Sequence, residues 1–293
     1  MISIVIISKD EASLDGTLTN VYAQAEACKE ACEIVVVDAS EGRLDHIRLR
    51  HEAKVRWVQF QQPPGVTVSI PHQRNAGVHA ACGEFIVFTD AGCQLEQGWL
   101  TRLVAPLLKD EHVTVRLFIG ATDNTGPCPW GNAARRVLES RYVSESGSGN
   151  LAFRRSVFDA IGGFDEEFAY SSDTDFGWRL MDAGYQIRSV PDAVVRHDWG
   201  TWGRQLRRSY VYGKGATRLY RKHRKRLKHV LRDDPVVIVY PLFLLGSPLT
   251  LIFPYYPALL LIPAWRNRSD GAVRVVASHL IFGAGVLAEL VGR

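Results

Sequence analysis

Glu84-Phe85-Ile86-Val87-Phe88-Thr89-Asp90-Ala91-Gly92 is a short apolar run that stops on a carboxylate and is followed at once by two small residues. Unbroken apolar residues from Phe85 to Phe88 suit a strand buried on both faces, as in a parallel sheet. In open α/β sheets ligands bind outside the carboxyl ends of the strands, so Asp90 stands beside a gap wide enough for a phosphate or a metal. A second reading is open at this point: Asp is a favoured N-cap, and Asp90 would then cap a following helix.

Apolar runs at Ile2 to Ile7, Ile34 to Val37, Val55 to Phe60, Phe85 to Phe88 and Val113 to Ile119 alternate with helix-length segments. That alternation predicts an α/β fold with crossover connections and a mostly parallel sheet. Three of the runs lead into polar residues, Ser8-Lys9-Asp10-Glu11, Asp38-Ala39-Ser40 and Asp90-Ala91-Gly92, which suggests one ligand cleft shared by their ends. No G-x-G-x-x-G follows the first run, so a dehydrogenase-type dinucleotide site is poorly supported. From Ala121 to Gly149 the pattern breaks into Gly, Pro, Asn and Ser, as expected of a mobile insertion over a site. A second organised block follows, with strands at Asn150 to Arg154, Ile187 to Val190 and Ala193 to Arg196, and helices at Val157 to Ile161 and Asp173 to Ala183.

The 293 residues, 46% hydrophobic with a net charge of +4, describe a globular protein rather than a disordered or nucleic-acid-coating one. The five cysteines, Cys28, Cys32, Cys82, Cys93 and Cys128, form no paired framework and no secretory signal peptide opens the chain, which points to a reducing cytosol. Cys28 and Cys32 are one helical turn apart, but no second pair at metal-ligand spacing follows them.

Between Arg204 and Arg232 Lys and Arg recur with no Asp or Glu, a run that calls for an anionic partner. The apolar segment that follows favours a membrane surface over a nucleic acid. Val236 to Trp265 carries no charge, and Val275 to Val291 is apolar apart from His279 and Glu289. Either is near the ~20 residues of a spanning helix. Pro241, Pro248, Pro254, Pro257 and Pro263 interrupt the first, and its flanks are both basic. By the positive-inside rule both flanks are cytoplasmic, so this segment reads as a re-entrant or interfacial hairpin. Two buried core helices are the soluble alternative.

Gln73-Arg74-Asn75-Ala76-Gly77 precedes the Asp90 strand by one helix, and Arg74 to Gly92 resembles the nucleotide-sugar half of the family 2 glycosyltransferases. There the pattern is Arg-Asn-x-Gly, a helix, Gly-Glu, an apolar strand and Asp-x-Asp. Ser3 to Glu11 is similar to the first strand and its polar loop. Glu33 to Ser40 resembles the strand ending Val-Asp-x-x-Ser, here one residue short. Asn150 to His197 resembles the acceptor half through Phe-Arg-Arg, Gly-Gly-Phe-Asp, Asp-x-Asp-Phe-x-x-Arg-Leu, Ala-Gly-Tyr and Val-x-His. The likeness covers about residues 1 to 200 and implies a GT-A nucleotide-diphospho-sugar transferase fold. It implies a transferase domain over 1–200 (nucleotide-sugar half 1–120, acceptor half 121–200), a basic interfacial helix over 201–234 and a hydrophobic membrane-associated segment over 235–293.

Carried over residue by residue, the resemblance places Ser8, Glu11, Asp38, Arg74 and Asp90 on the donor. Asp38 would accept from the base, Glu11 would lie near ribose or base, and Arg74 would meet the diphosphate or hold a loop. Asp173 would be the general base of an inverting transfer, taking the proton from the acceptor hydroxyl as it attacks the anomeric carbon. Gly163, Phe164, Asp165, Asp175, Arg179 and Trp199 fall on the acceptor side. Asp175 and Arg179 also have the i,i+4 spacing of a structural ion pair. Trp199 and Trp202 suit an acceptor wall or a membrane-interface belt.

Asp90 and His197 are the expected holders of a divalent metal, Mn2+ or Mg2+, and Gly92 removes the second carboxylate of the motif. Ser172 stands where the family often has Glu before the base, and Gln205-Leu-Arg-Arg-Ser209 departs from the Gln-x-x-Arg-Trp signature of processive synthases at Ser209. The expectation is therefore a single-addition enzyme at the cytoplasmic face of the cell membrane. It would use a nucleotide-diphospho-sugar donor and a lipid-linked or saccharide acceptor, with no nucleic acid partner. A catalytically silent nucleotide-sugar-binding scaffold, a subunit of a processive polysaccharide synthase and a nucleic-acid binder using 204 to 232 are the competing readings.

Overall fold

The first strand, β1 (Ile2–Ser8), is rich in isoleucine and is buried at every position except the intermediate Ile7. Such a strand needs a neighbour on each edge and a layer on each face. Its edges are taken by β2 (Cys32–Asp38) and β4 (Phe85–Asp90), both parallel to it. On one face Ile2, Ile4 and Ile6 pack with Leu14, Leu18 and Val21 of α1 (Leu14–Ala27) and with Trp99 and Leu103 of α4 (Trp99–Val104). Val5, Val35 and Val37 serve the other face, with Val78 of α3 (Ile70–Ala80) and the rings of Phe88, Phe153, Phe158, Phe164 and Phe176. Each such side chain removed from water contributes about 1.5–3 kcal/mol, so the alternation along β1 holds both layers.

The computed structural model describes residues 1–115, 119–120, 141–144, 147–197, 200–268 and 271–292. The remaining strands are β3 (Arg56–Gln59), β5 (Gln94–Leu95), β6 (Val113–Val115), β7 (Ile119–Gly120), β8 (Tyr142–Val143), β9 (Asn150–Arg154), β10 (Ile187–Ser189) and β11 (Val195–His197). They build one sheet in the order β3-β2-β1-β4-β9-β6-β10-β8 and a small one in the order β5-β11-β7. β3-β2-β1-β4 is parallel throughout, and β9 inserts antiparallel between β4 and β6. Further helices of this unit are α2 (Asp45–His51), α5 (Arg155–Ile161) and α6 (Ser172–Asp182). The run expected as one strand over Val113 to Ile119 is divided, because β6 pairs in the large sheet and β7 in the small one. Most of the expected insertion from Ala121 to Gly149, with Cys128, lies outside the described residues.

The chain divides into two compact units, one within residues 1–198 and the other carrying the C-terminal part from 199 onward. The stretches read as 201–234 and 235–293 thus share one unit. It holds α7 (Trp202–Lys222), α8 (Val230–Asp233), α9 (Val236–Leu245), α10 (Leu261–Arg266) and α11 (Ala272–Val291). Thr201 caps α7 by accepting from the Arg204 amide at 3.4 Å. Pro241 sits inside α9, and Pro248 and Pro257 open short 3-10 turns, so the apolar stretch from 236 to 265 is broken, as its prolines require.

Gly77 lets α3 lie directly on the sheet: a Cβ there would strike Cγ1 of Val5 and come within 3.2 Å of Cγ2 of Val37. Gly77→Ala is expected to lower unfolding stability by about 1–3 kcal/mol through overpacking, checked by urea denaturation.

Candidate active site

The registers of β1 fix the geometry of one sheet edge. Ser8 is paired with Asp38 across β2, and Ile7 with Asp90 across β4. Neighbouring strands lie about 4.8 Å apart, so the backbones of Asp38 and Asp90 stand about 10 Å apart with the end of β1 between them. The Ser8 hydroxyl is buried there with no protein partner among the described residues.

Asp38 is 4% exposed and accepts two hydrogen bonds from Ser40, from its amide at 3.1 Å and its hydroxyl at 2.5 Å. Both fall on Oδ1, and the other oxygen accepts no hydrogen bond among the described residues. Burial pushes the Asp38 carboxyl above its ordinary range, and the Ser40 bonds oppose that rise without cancelling it. Ser40 also accepts from the Asp10 amide at 2.7 Å, and Arg43 grips Asp10 at 2.6 and 3.2 Å. The loops after β1 and β2 are thereby joined. Glu11, in the first of them, accepts from Ser13 at 3.0 Å.

Asp90 caps no helix. The chain continues into β5, and the next helix, α4, begins only at Trp99 with Gly98 before it. Gly92 has φ +86°, and a Cβ there would approach the Ser13 hydroxyl to 3.0 Å; its amide donates to Thr17 of α1 at 2.9 Å. Backbone geometry and the contact with α1 both disfavour a side chain at position 92. β11 runs antiparallel to β5 with Arg196 opposite Gln94, and one step further the register sets His197 opposite Cys93. The fold therefore brings His197 to the loop that follows Asp90.

Among the described residues no group of three His, Cys, Asp or Glu side chains is arranged to hold an ion. Gly92 offers no ligand, and burial pushes the Cys93 thiol up to about 12, so it is no thiolate at neutral pH.

The α3 motif reaches across to α6 and to the turn that precedes it. Gln73, with its amide nitrogen toward the sheet, donates to the carbonyls of Ser8 at 3.1 Å and Val37 at 3.2 Å. Arg74, 6% exposed, donates to the Ser172 hydroxyl at 3.3 Å and lies over the Phe164 ring at 5.5 Å. Its Nε is buried without a partner among the described residues. Asn75 bonds both ways with the backbone of Phe164 at 2.9 Å and donates to Glu166 at 2.9 Å. Phe164 in turn stacks on Phe176 of α6 with ring centroids 4.3 Å apart.

Asp173 lies in the first turn of α6, beyond the N-cap position held by Ser171. Its carboxylate accepts from the Thr174 amide at 2.9 Å and from the Ser148 hydroxyl at 3.4 Å. Ser148 stands two residues before Asn150, which is paired with Thr89, the residue before Asp90. Asp173 is thus linked to the Asp90 edge through Ser148 and to α3 through its neighbour Ser172.

Asp175 is fully buried and bonded to Arg179 at 2.7 Å, and Arg179 also donates to the carbonyls of Ile161 at 2.8 Å and Gly163 at 2.6 Å. The pair has the structural geometry that its i,i+4 spacing allows: the guanidinium holds the buried carboxylate through Nε and the Gly162–Asp165 turn through its other two nitrogens. Gly163 and Phe164 are buried in that turn, and Asp165 accepts from the Glu167 amide at 3.0 Å. Trp199 lies outside the described residues. Three residues with a clear place in the site received no role from sequence reasoning: Ser40, Asn75 and Ser148. The first two sit inside quoted motifs, which was the available signal; Ser148 has only its place before a strand.

Two family models, each over more than half of the chain, match this architecture: glycosyl transferase family 2 over residues 3–162 and glycosyl transferase family group 2 over residues 130–287. The chain belongs to the family 2 glycosyltransferases. It is 27% identical over 188 residues to the pre-mycofactocin glycosyltransferase of Mycobacterium tuberculosis, covering 60% of this chain and 40% of that protein. It is 28% identical over 168 residues to glycosyltransferase AglE of Haloferax volcanii, covering 54% and 53%. The chain thus spans about half or less of these curated relatives. Among solved structures, mannosyltransferase PcManGT from Pyrobaculum calidifontis, in complex with GDP-Man and Mn2+, superposes with TM-score 0.71 at 16% identity, covering 100% of this chain and 87% of that one. That likeness carries the GT-A fold.

Because Asp38 takes up its proton more readily folded than unfolded, its contribution to stability falls as pH rises above the ordinary Asp value of 3.8. Asp38→Asn is expected to melt no lower than the parent at neutral pH, with any advantage vanishing below pH 3.8; calorimetry across pH checks this. Arg74→Met and Ser172→Ala are expected to couple by about 1 kcal/mol in a double-mutant cycle, whereas additive losses would dissolve the link between the halves.

Proposed function

We propose that this chain transfers a single sugar from a nucleotide-diphospho-sugar to a hydroxyl of a lipid-linked or saccharide acceptor at the cytoplasmic membrane face, with inversion at the anomeric carbon. The observation that carries the reading is the linkage of Asp173, through Ser148 and β9, to the sheet edge bearing Asp38 and Asp90. Asp38 offers its second oxygen to the base of the donor, with Ser40 holding the first. Ser8 and Glu11 lie toward the same nucleoside, and Asp90 faces the diphosphate.

Asp173 takes the acceptor proton as that oxygen attacks from the face opposite the leaving diphosphate. Its position rests on Ser148 at one side and on the Arg74–Ser172 bond at the other. In this reading Arg74 holds the loop rather than the phosphates, since it is buried between Ser172 and Phe164. Asp90 and His197 remain the groups nearest to where Mn2+ or Mg2+ would enter with the donor. The absence of a second carboxylate at Gly92 supports weak metal binding before donor arrives, and it is also what favours the alternative of a silent nucleotide-sugar-binding scaffold.

One experiment separates the two. Screening nucleoside-diphosphate sugars by thermal shift, with and without Mn2+, is expected to give one donor that raises the melting temperature, while Mn2+ alone changes it little. With that donor, Asp173→Asn is expected to lose about 10²–10⁴-fold in transfer with an unchanged melting temperature. Donor binding with no transfer or hydrolysis by the parent chain would favour the scaffold.

A further inference from the structure

The helix that looks most like a membrane span is built as something else. α11 is 20 residues long and apolar, enough by length to cross a bilayer. Yet from Val275 to Glu289 none of its residues is exposed. α7 lies against it backbone to backbone: a Cβ on Gly213 would overlap the Phe282 carbonyl, and one on Gly285 would overlap the Tyr210 carbonyl. α9 closes another side, where a Cβ on Gly283 would come within 3.0 Å of Tyr240. α7 and α11 run in the same direction, from Trp202 beside Arg274 (5.7 Å, cation to ring) to Arg218 beside Glu289 (2.7 Å). Lys214 also reaches Glu289, at 3.7 Å.

This pairing decides what α11 can do. Were it to cross, α7 would cross with it, and α7 carries Arg204, Arg207, Arg208, Lys214, Arg218, Arg221 and Lys222 from end to end. Charged side chains inside hydrocarbon are costly, and a helix bearing this many is not inserted.

The longest run of exposed apolar residues in this unit is the broken stretch from Leu242 to Trp265, with Val273 and Val291 exposed only at the two ends of α11. Leu251 is 89% exposed, Ile252 85%, Tyr255 73% and Trp265 68%. Exposed Arg224, Lys225 and Lys228 precede it, and exposed Arg266 and Arg268 follow it. An apolar surface with aromatic residues and a cationic rim is complementary to an anionic bilayer. Its short turns leave backbone groups that hydrocarbon would not satisfy, so its depth is limited to the interface.

We propose that the C-terminal unit is monotopic: residues 242–265 embed in one leaflet of an anionic bilayer, while α11 is a packed strut that stays at the surface with α7. This rests on, and refines, the membrane association in the proposed function.

The test uses the full chain with an epitope at each end. Binding is expected to phosphatidylglycerol vesicles and not to phosphatidylcholine vesicles, with a loss of about 10-fold or more in Leu251→Asp and Ile252→Asp, the scale of one apolar side chain. Circular dichroism should be unchanged in both variants. In sealed membrane vesicles of one orientation, protease should remove both epitopes from the same face. An epitope at the far end protected on the opposite face would show that α11 crosses, and would overturn the inference while keeping the membrane reading. No vesicle binding alongside full transfer to a soluble acceptor would overturn both. A dimer in solution that Leu251→Asp dissociates would assign the apolar surface to a second copy and overturn the inference.

Discussion

Everything chemical in the first unit depends on the parallel pairing of β1 between β2 and β4. Because side chains alternate along a strand, a slip of one residue would turn Ile2, Ile4 and Ile6 from one core to the other. The two hydrophobic layers therefore pin the register, and the register sets Ser8 beside Asp38 and Ile7 beside Asp90. Polar chemistry at the strand ends is positioned by apolar packing several residues away. Ser40, Asp10 and Arg43 then finish locally what the sheet sets globally, by joining the two loops above it.

A second constraint ties the halves together. α3 carries three consecutive polar residues that are almost fully buried, and each is spent on a different part of the molecule. Gln73 serves the ends of β1 and β2, Arg74 the start of α6, and Asn75 the turn at Phe164. Buried polar groups are tolerated only when their bonds are made, so these contacts specify one arrangement of α6 against the sheet. The serine at 172 then has a physical meaning. It accepts from Arg74 as a neutral group, where an acid would make an ion pair, and it leaves Asp173 without a charged neighbour in sequence.

Much of this was legible in the chain. The apolar runs marked β1, β2 and β4 because strands buried on both faces have no polar alternation to obscure them. The i,i+4 spacing of Asp175 and Arg179 foretold their pairing, since helix geometry alone makes them neighbours. What stayed hidden were contacts between residues far apart in sequence. Neither Ser148 against Asp173 nor Asn75 against Phe164 leaves any periodic trace, and the division of Val113 to Ile119 between two sheets depends on which partners each end meets. The two readings of Asp90 were also inseparable until β5, rather than a helix, was seen to follow it.

The α/β class, the family, the acidic strand ends and the broken character of the proline-rich stretch can all be read from the chain, because each is written in local pattern or in motifs at fixed spacing. How deeply each acid is buried follows only from folding, because burial is set by elements distant in the chain. Asp175 is fully buried on Arg179, Asp38 keeps one oxygen without a hydrogen bond among the described residues, and the pairing of β11 with β5 carries His197 toward the Asp90 loop. The same holds for α11: its composition is that of a span, and only the folded chain shows a charged helix packed along it.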